Sequence, residues 1–173
     1  MANPEIESPL DGIDKLTVSL YRLGLSAAAL LLLCRGAALL SGMALLPSAQ
    51  WLMSLAVASA ICGFSLHIYD KRIRLILQGF GWGALALAAV GAPDALVLGA
   101  ALATLSGLAF KEQFCFAIPG IKLVPVLLPE WLRVEWAAAL VALVCGALLT
   151  LLALAKWRMP LHFDIGDKGR YQI

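Results

Sequence analysis

Long apolar stretches separated by short polar clusters run along this chain, and their spacing predicts membrane-spanning helices. The first stretch runs from about Leu16 to Leu46 and has Arg35 inside it. One crossing needs about 20 residues, so two readings fit. Either a tilted helix from about Tyr21 to Met43 buries Arg35, or the crossing is Leu16 to Cys34 and an interfacial segment follows. After Pro47 the pattern is cleaner, with Trp51 to Tyr69 carrying an amphipathic aromatic at each end, where the interface favours such rings. Asp70, Lys71, Arg72 and Arg74 form a polar hinge before a third span, Ile73 to Val90. Gly91, Pro93 and Asp94 then predict a tight turn, Ala95 to Phe110 a fourth span, and Val134 to Leu154 a long last one.

Between the last two lies an irregular stretch, Lys111 to Arg133. Its prolines, Pro119, Pro125 and Pro129, cannot share one regular helix without freeing backbone carbonyls. Freed backbone at membrane depth survives only where protein or water receives it. The segment 114–128 is therefore expected to be a Pro-broken or re-entrant span. Positive charge favours a crossing. With six crossings and both ends inside, Lys15, Arg22, Lys71, Arg72, Arg74, Lys111, Lys156, Arg158, Lys168 and Arg170 all become cytoplasmic and Arg133 lies outside. The expected architecture is an all-α polytopic bundle of six spans, five regular and one broken. A polar tail occupies residues 1–15, the bundle residues 16–155, and a basic cytoplasmic tail residues 156–173.

Composition agrees and removes other classes. Apolar residues make up 62% of the 173 and charged residues 14%, against roughly 45 to 50% and 25% in soluble domains. Six spans leave no room for a second domain. The net charge of +2, without a long basic run, excludes nucleic acid as an expected partner. The acidic N-terminal stretch lacks the basic region of a signal peptide. Cys34, Cys62, Cys115 and Cys145 fall in separate apolar segments without metal-ligand spacing, and are read as small packed hydrophobes. His67, near the end of the second span, is read as making an interfacial hydrogen bond. No hydrolase, phosphate-loop or dinucleotide motif is present, so neither metal, cofactor nor enzymatic activity is expected.

Helices in lipid associate through close approach at small residues. Gly79 and Gly83 form such a pair in the third span; Gly99, Ala103 and Gly107 line a stripe of the fourth, and Ala142 and Gly146 one of the last. These positions are expected to pack the bundle internally, with contact to a second copy or a partner subunit as the other use.

Costly charges mark the candidates for function. Lys111 and Glu112 follow directly on an apolar span and belong at the inner interface. Neighbouring helical residues point about 100° apart, so they need not pair with each other. Lys111 could reach anionic headgroups. Glu112 could bind a cation or pass a proton, but a salt bridge to the Lys71 to Arg74 hinge is the expected role. Lys122 in the broken segment, and Arg35 if intramembrane, are the charges a transport pathway would use. Cys115 completes the candidate group.

The run Ala109-Phe110-Lys111-Glu112-Gln113-Phe114-Cys115-Phe116 resembles the signature of a family of uncharacterised bacterial and cyanobacterial integral membrane proteins. The tail Phe163-Asp164-Ile165-Gly166-Asp167-Lys168 suits the same family. The resemblance implies a multi-span membrane protein and no particular activity. The expectation is thus a non-enzymatic structural, assembly or accessory protein of the bacterial inner membrane, with its lipid bilayer and a homo-oligomeric or membrane-complex partner around it. The alternative is a small-solute or ion transporter using residues 111–133.

Overall fold

The structure is a computed structural model describing residues 9–43, 46–130 and 137–171. Every regular element among the described residues is helical. In chain order these are α1 (Gly12–Ser41), α2 (Ser48–Phe64), α3 (Lys71–Ala89), α4 (Asp94–Glu112), α5 (Val124–Glu130), α6 (Ala138–Arg158) and the single-turn α7 (His162–Ile165). Three of them, α1, α4 and α6, are long and apolar enough to cross a membrane.

The first helix begins inside the stretch read as a tail. Asp11 and Asp14 form a capping box: the Asp11 carboxylate accepts from the Asp14 N–H at 2.8 Å, and the Asp11 N–H donates to the Asp14 carboxylate at 2.9 Å. Two of the helix's unsatisfied N–H groups are thereby met, so polar residues start the helix that apolar ones continue. The helix ends where Gly42 adopts φ +71°, a left-handed conformation that favours glycine.

Close approaches fix the topology. In α1, a β-carbon on Gly24 would lie 2.9 Å from Cys62 Sγ of α2, and one on Gly36 would lie 3.0 Å from the Ala139 carbonyl at the start of α6. Helices α2 and α3 touch at Gly81, whose β-carbon would lie 2.8 Å from the Ser59 carbonyl, and α3 meets α4 where the Leu77 side chain occupies the space beside Gly107. The contacts make α1 antiparallel to both α2 and α6, and α3 antiparallel to its two neighbours. At Gly146 a β-carbon would stand 2.9 Å from the Leu33 backbone nitrogen, and Ala142 is fully buried. Gly99 and Ala103 are half-buried.

The expected packing role of Gly79 and Gly83 needs correction. Nothing stands within 4 Å of a β-carbon at either position, because α3 turns Gly81 toward α2 instead. Residues 65–69, expected to complete the second span, leave the helix after Phe64. Asp70 then caps α3 by accepting from the N–H groups of Arg72 and Ile73.

Glu112 and Lys156, at the C-terminal ends of α4 and α6, are 3.1 Å apart, so both helices finish at one end of the bundle, here called basal. Gly120, at φ +84°, faces Leu148 near the middle of α6. The irregular residues 113–120 therefore climb to about half height before a 3₁₀ turn, Ile121–Leu123, leads into α5. Ile121, Val124 and Leu128 form its buried face. Arg133, expected on the far side, lies outside the described residues.

Candidate functional site

Four segments bring their charges together at the basal end. Glu112 is 1% exposed, Lys156 and Arg22 are 2% exposed, and the Asp164 side chain 4%. Glu112 Oε1 accepts from the Tyr21 hydroxyl at 2.8 Å, while Oε2 lies 3.1 Å from Lys156 Nζ. Lys156 also bonds Asp164 Oδ1 and places its ammonium 5.0 Å from the ring centroids of both Tyr21 and Phe116. Asp164 is held in turn by Arg22, whose Nε and Nη2 donate to Oδ2 at 2.7 and 2.5 Å. The same guanidinium donates to the carbonyls of Met159, at 2.8 Å, and Pro160, at 3.1 Å.

The geometry follows from chain connectivity. Arg22 sits about three turns into α1, and Met159 and Pro160 are the residues at which α6 stops. A guanidinium presents its donors in a planar fork, so one Arg can grip both the exposed carbonyls beyond α6 and the carboxylate of α7. Buried charges are tolerated when paired and hydrogen-bonded. Here each carboxylate meets two cations, and each deeply buried cation has an acidic partner.

Around this cluster the C-terminal segment is stapled to the base of the bundle. Tyr69 Oη accepts from the Asp167 N–H at 3.0 Å, and the Tyr69 and Tyr171 rings meet edge to face at 5.0 Å. Tyr171 donates to the Ile165 carbonyl at 2.7 Å, Lys168 pairs with Asp14, and Trp157 Nε1 donates to Ser26 Oγ at 3.1 Å. His67 packs against Tyr171. Burial, with Lys111 nearby, pushes the His67 imidazole down from its usual 6.5 to about 4, so it is neutral at pH 7.

Of the residues singled out from sequence, only Lys111 and Glu112 join the cluster. They do pair, at 3.2 Å, and Lys111 stands 5.3 Å from the Tyr21 ring. Glu112, expected to bridge to the Lys71 to Arg74 hinge, is held by Lys156, Lys111 and the Tyr21 hydroxyl. Cys115 is exposed just beyond the cluster. Lys122 is exposed on the outer side of the 3₁₀ turn, away from it. Arg35 lies toward the opposite end, half-buried, with its guanidinium 5.2 Å from the Trp51 ring. The candidates for a transport pathway are not brought together.

Arg22, Lys156 and Asp164 were legible only as tail or interface charges, and Tyr21 only as the start of a span. One signal did exist. The two runs that carry the family resemblance contain Glu112 and Asp164, and Lys156 bridges those two carboxylates.

The chain belongs to the family described as uncharacterized integral membrane protein (DUF2301), which matches residues 83–173. A protein of Haemophilus influenzae described as an uncharacterized protein is 43% identical over 184 residues, covering the whole of both chains. No solved structure matches. The protein is thus an all-helical integral membrane protein seated in a lipid bilayer. The matched residues hold Lys111, Glu112, Lys156 and Asp164, whereas Tyr21 and Arg22 reach the cluster from outside the matched range.

Proposed function

We propose that this chain is a non-enzymatic structural, assembly or accessory protein of the bacterial inner membrane, crossing it six times with both ends in the cytoplasm. The observation that supports this reading is how the buried charges are used. Arg22, Lys156, Glu112 and Asp164 are engaged with one another, and their joint effect is to hold the C-terminal segment against the bundle. The cytoplasmic placement of the basal end rests on its basic residues, among them Lys15, Arg72, Arg158 and Arg170, which follow the positive-inside bias. The sixth crossing is supported by α4 and α6 ending together while α6 begins beside Gly36, toward the other end of the bundle.

A partner helix has a place to sit. Gly79 and Gly83 lie open on α3, spaced for the close backbone approach that helix pairs in lipid use. Protein purified gently from its own membranes is expected to carry a second copy or a stoichiometric foreign subunit in native mass spectrometry, and to lose it in Gly79→Leu and Gly83→Leu. A monomer without companions, unchanged by either substitution, would overturn the reading.

A further inference from the structure

The basal cluster is one negative charge short. Its cations are Arg22, Lys111 and Lys156, and its anions Glu112 and Asp164. His67 does not alter the count, because it is neutral. Arg22 and Lys156 are buried and spend their donors on the two carboxylates and on backbone carbonyls. The surplus falls on Lys111, whose side chain is 20% exposed. Among the described residues Glu112 is its one anionic contact, and Glu112 is already held by Lys156 and the Tyr21 hydroxyl. The Lys111 ammonium therefore has donors left to give at the rim.

What surrounds that rim is apolar and outward-facing. Phe110 and Phe114, one turn apart on either side of Lys111, are 56% and 58% exposed, and their rings meet edge to face at 5.4 Å. In a bilayer, exposed Phe rings at the end of a spanning helix contact acyl chains, while a lysine beside them extends its ammonium to the headgroups. A residual positive charge between two such rings matches one kind of ligand, a phosphate ester carrying hydrocarbon.

We propose that Phe110, Lys111 and Phe114 form a binding site for one anionic phospholipid, its phosphate on the Lys111 ammonium and its acyl chains against the two rings. The bound phosphate supplies the charge that the cluster lacks. Whether the basal end faces the cytoplasm is immaterial to this assignment, and so is the presence of a protein partner.

The test uses the full chain, exchanged into vesicles of phosphatidylcholine with phosphatidylglycerol and then examined by native mass spectrometry. The wild type is expected to retain one phosphatidylglycerol per chain. Lys111→Ala should lower that retention about fivefold, the share of one lysine at an anionic surface, and Lys111→Arg should restore it. Phe110→Ala with Phe114→Ala should lower it as well. Arg72→Ala and Arg158→Ala, which remove exposed basal charges elsewhere, should leave it unchanged. A melting curve on each variant confirms that it is folded. Equal loss in all the charge variants would overturn the site in favour of diffuse attraction, and no retention by the wild type would overturn it outright. Displacement of the lipid by millimolar inorganic phosphate would also contradict it, assigning the anion to a free phosphate instead.

Discussion

Two cations in this bundle are kept out of water by different means. At the basal end Arg22 is buried against the Asp164 carboxylate and the Met159 and Pro160 carbonyls, all from one segment that is 137 to 142 positions away in the chain. Toward the opposite end Arg35 is half-buried against the face of Trp51, whose Nε1 donates to the Leu31 carbonyl at 2.8 Å. Arg35 and Trp51 lie on consecutive helices and make a local pair beside a void of only about 10 Å³. The contrast separates a cation that organises the fold from one that is merely accommodated by it. Cation and ring can part without exposing a buried carboxylate, whereas removing Arg22, Glu112, Lys156 or Asp164 takes a partner from another buried charge.

Substitutions should expose that difference on a descending scale. Asp164→Ala leaves Arg22 and Lys156 buried with one acidic partner between them, and is expected to cost about 3 to 5 kcal/mol, read as a fall in melting temperature in detergent. The same variant should free the C-terminal segment, which limited proteolysis after residue 158 would report. Gly146→Val, away from any charge, presses a side chain on the Leu33 backbone nitrogen, 2.9 Å from the first added carbon. Overpacking of this kind costs about 1 to 3 kcal/mol. Its control, Gly83→Ala with open space around it, stands outside that scale and should stay within about 0.5 kcal/mol of the wild type.

Trp51→Phe removes one hydrogen bond and weakens the cation–π contact with Arg35, which together amount to about 1 to 2 kcal/mol. A cost as large as that of Asp164→Ala would erase the distinction between the two ends. A pH dependence follows at His67, which faces Lys111, Asp14, Asp164 and Tyr171, and it is small near neutrality. With its folded value near 4 and its unfolded value near 6.5, the unfolded chain binds the proton more readily. Stability is therefore complete above pH 6.5 and lost as pH falls toward 4, by under about 1 kcal/mol between pH 7 and pH 6. His67→Gln should flatten that part of the profile.

The same contrast explains what could be read in advance. Apolar length is a local property, so the spans and the Pro-broken stretch were visible in the residues themselves. Arg35 beside Trp51 was open to the same inspection, since the two lie close in sequence, and the shorter reading of the first span put Arg35 at its far interface. The basal cluster is not local: the Tyr21 and Glu112 side chains that touch are 91 positions apart, and Arg22 and Asp164 are 142 apart. A partner at that distance leaves no periodic trace. Residues 65–69 show the point in small. Their apolar character continues the helix pattern, yet Tyr69 leaves the helix and receives the Asp167 N–H. Gly79 and Gly83 have the spacing of a packing pair, yet Gly81 makes the contact, because spacing alone cannot tell which face of α3 meets α2.

Glu112 and Lys156 act as one structural unit joining the two motif-bearing segments. A double-mutant cycle on Glu112→Gln and Lys156→Met, read by unfolding in detergent, measures it directly. Each single change should be severe, and the pair should cost less than their sum by about 1.5 to 3 kcal/mol. Effects that add to within about 0.5 kcal/mol would contradict it.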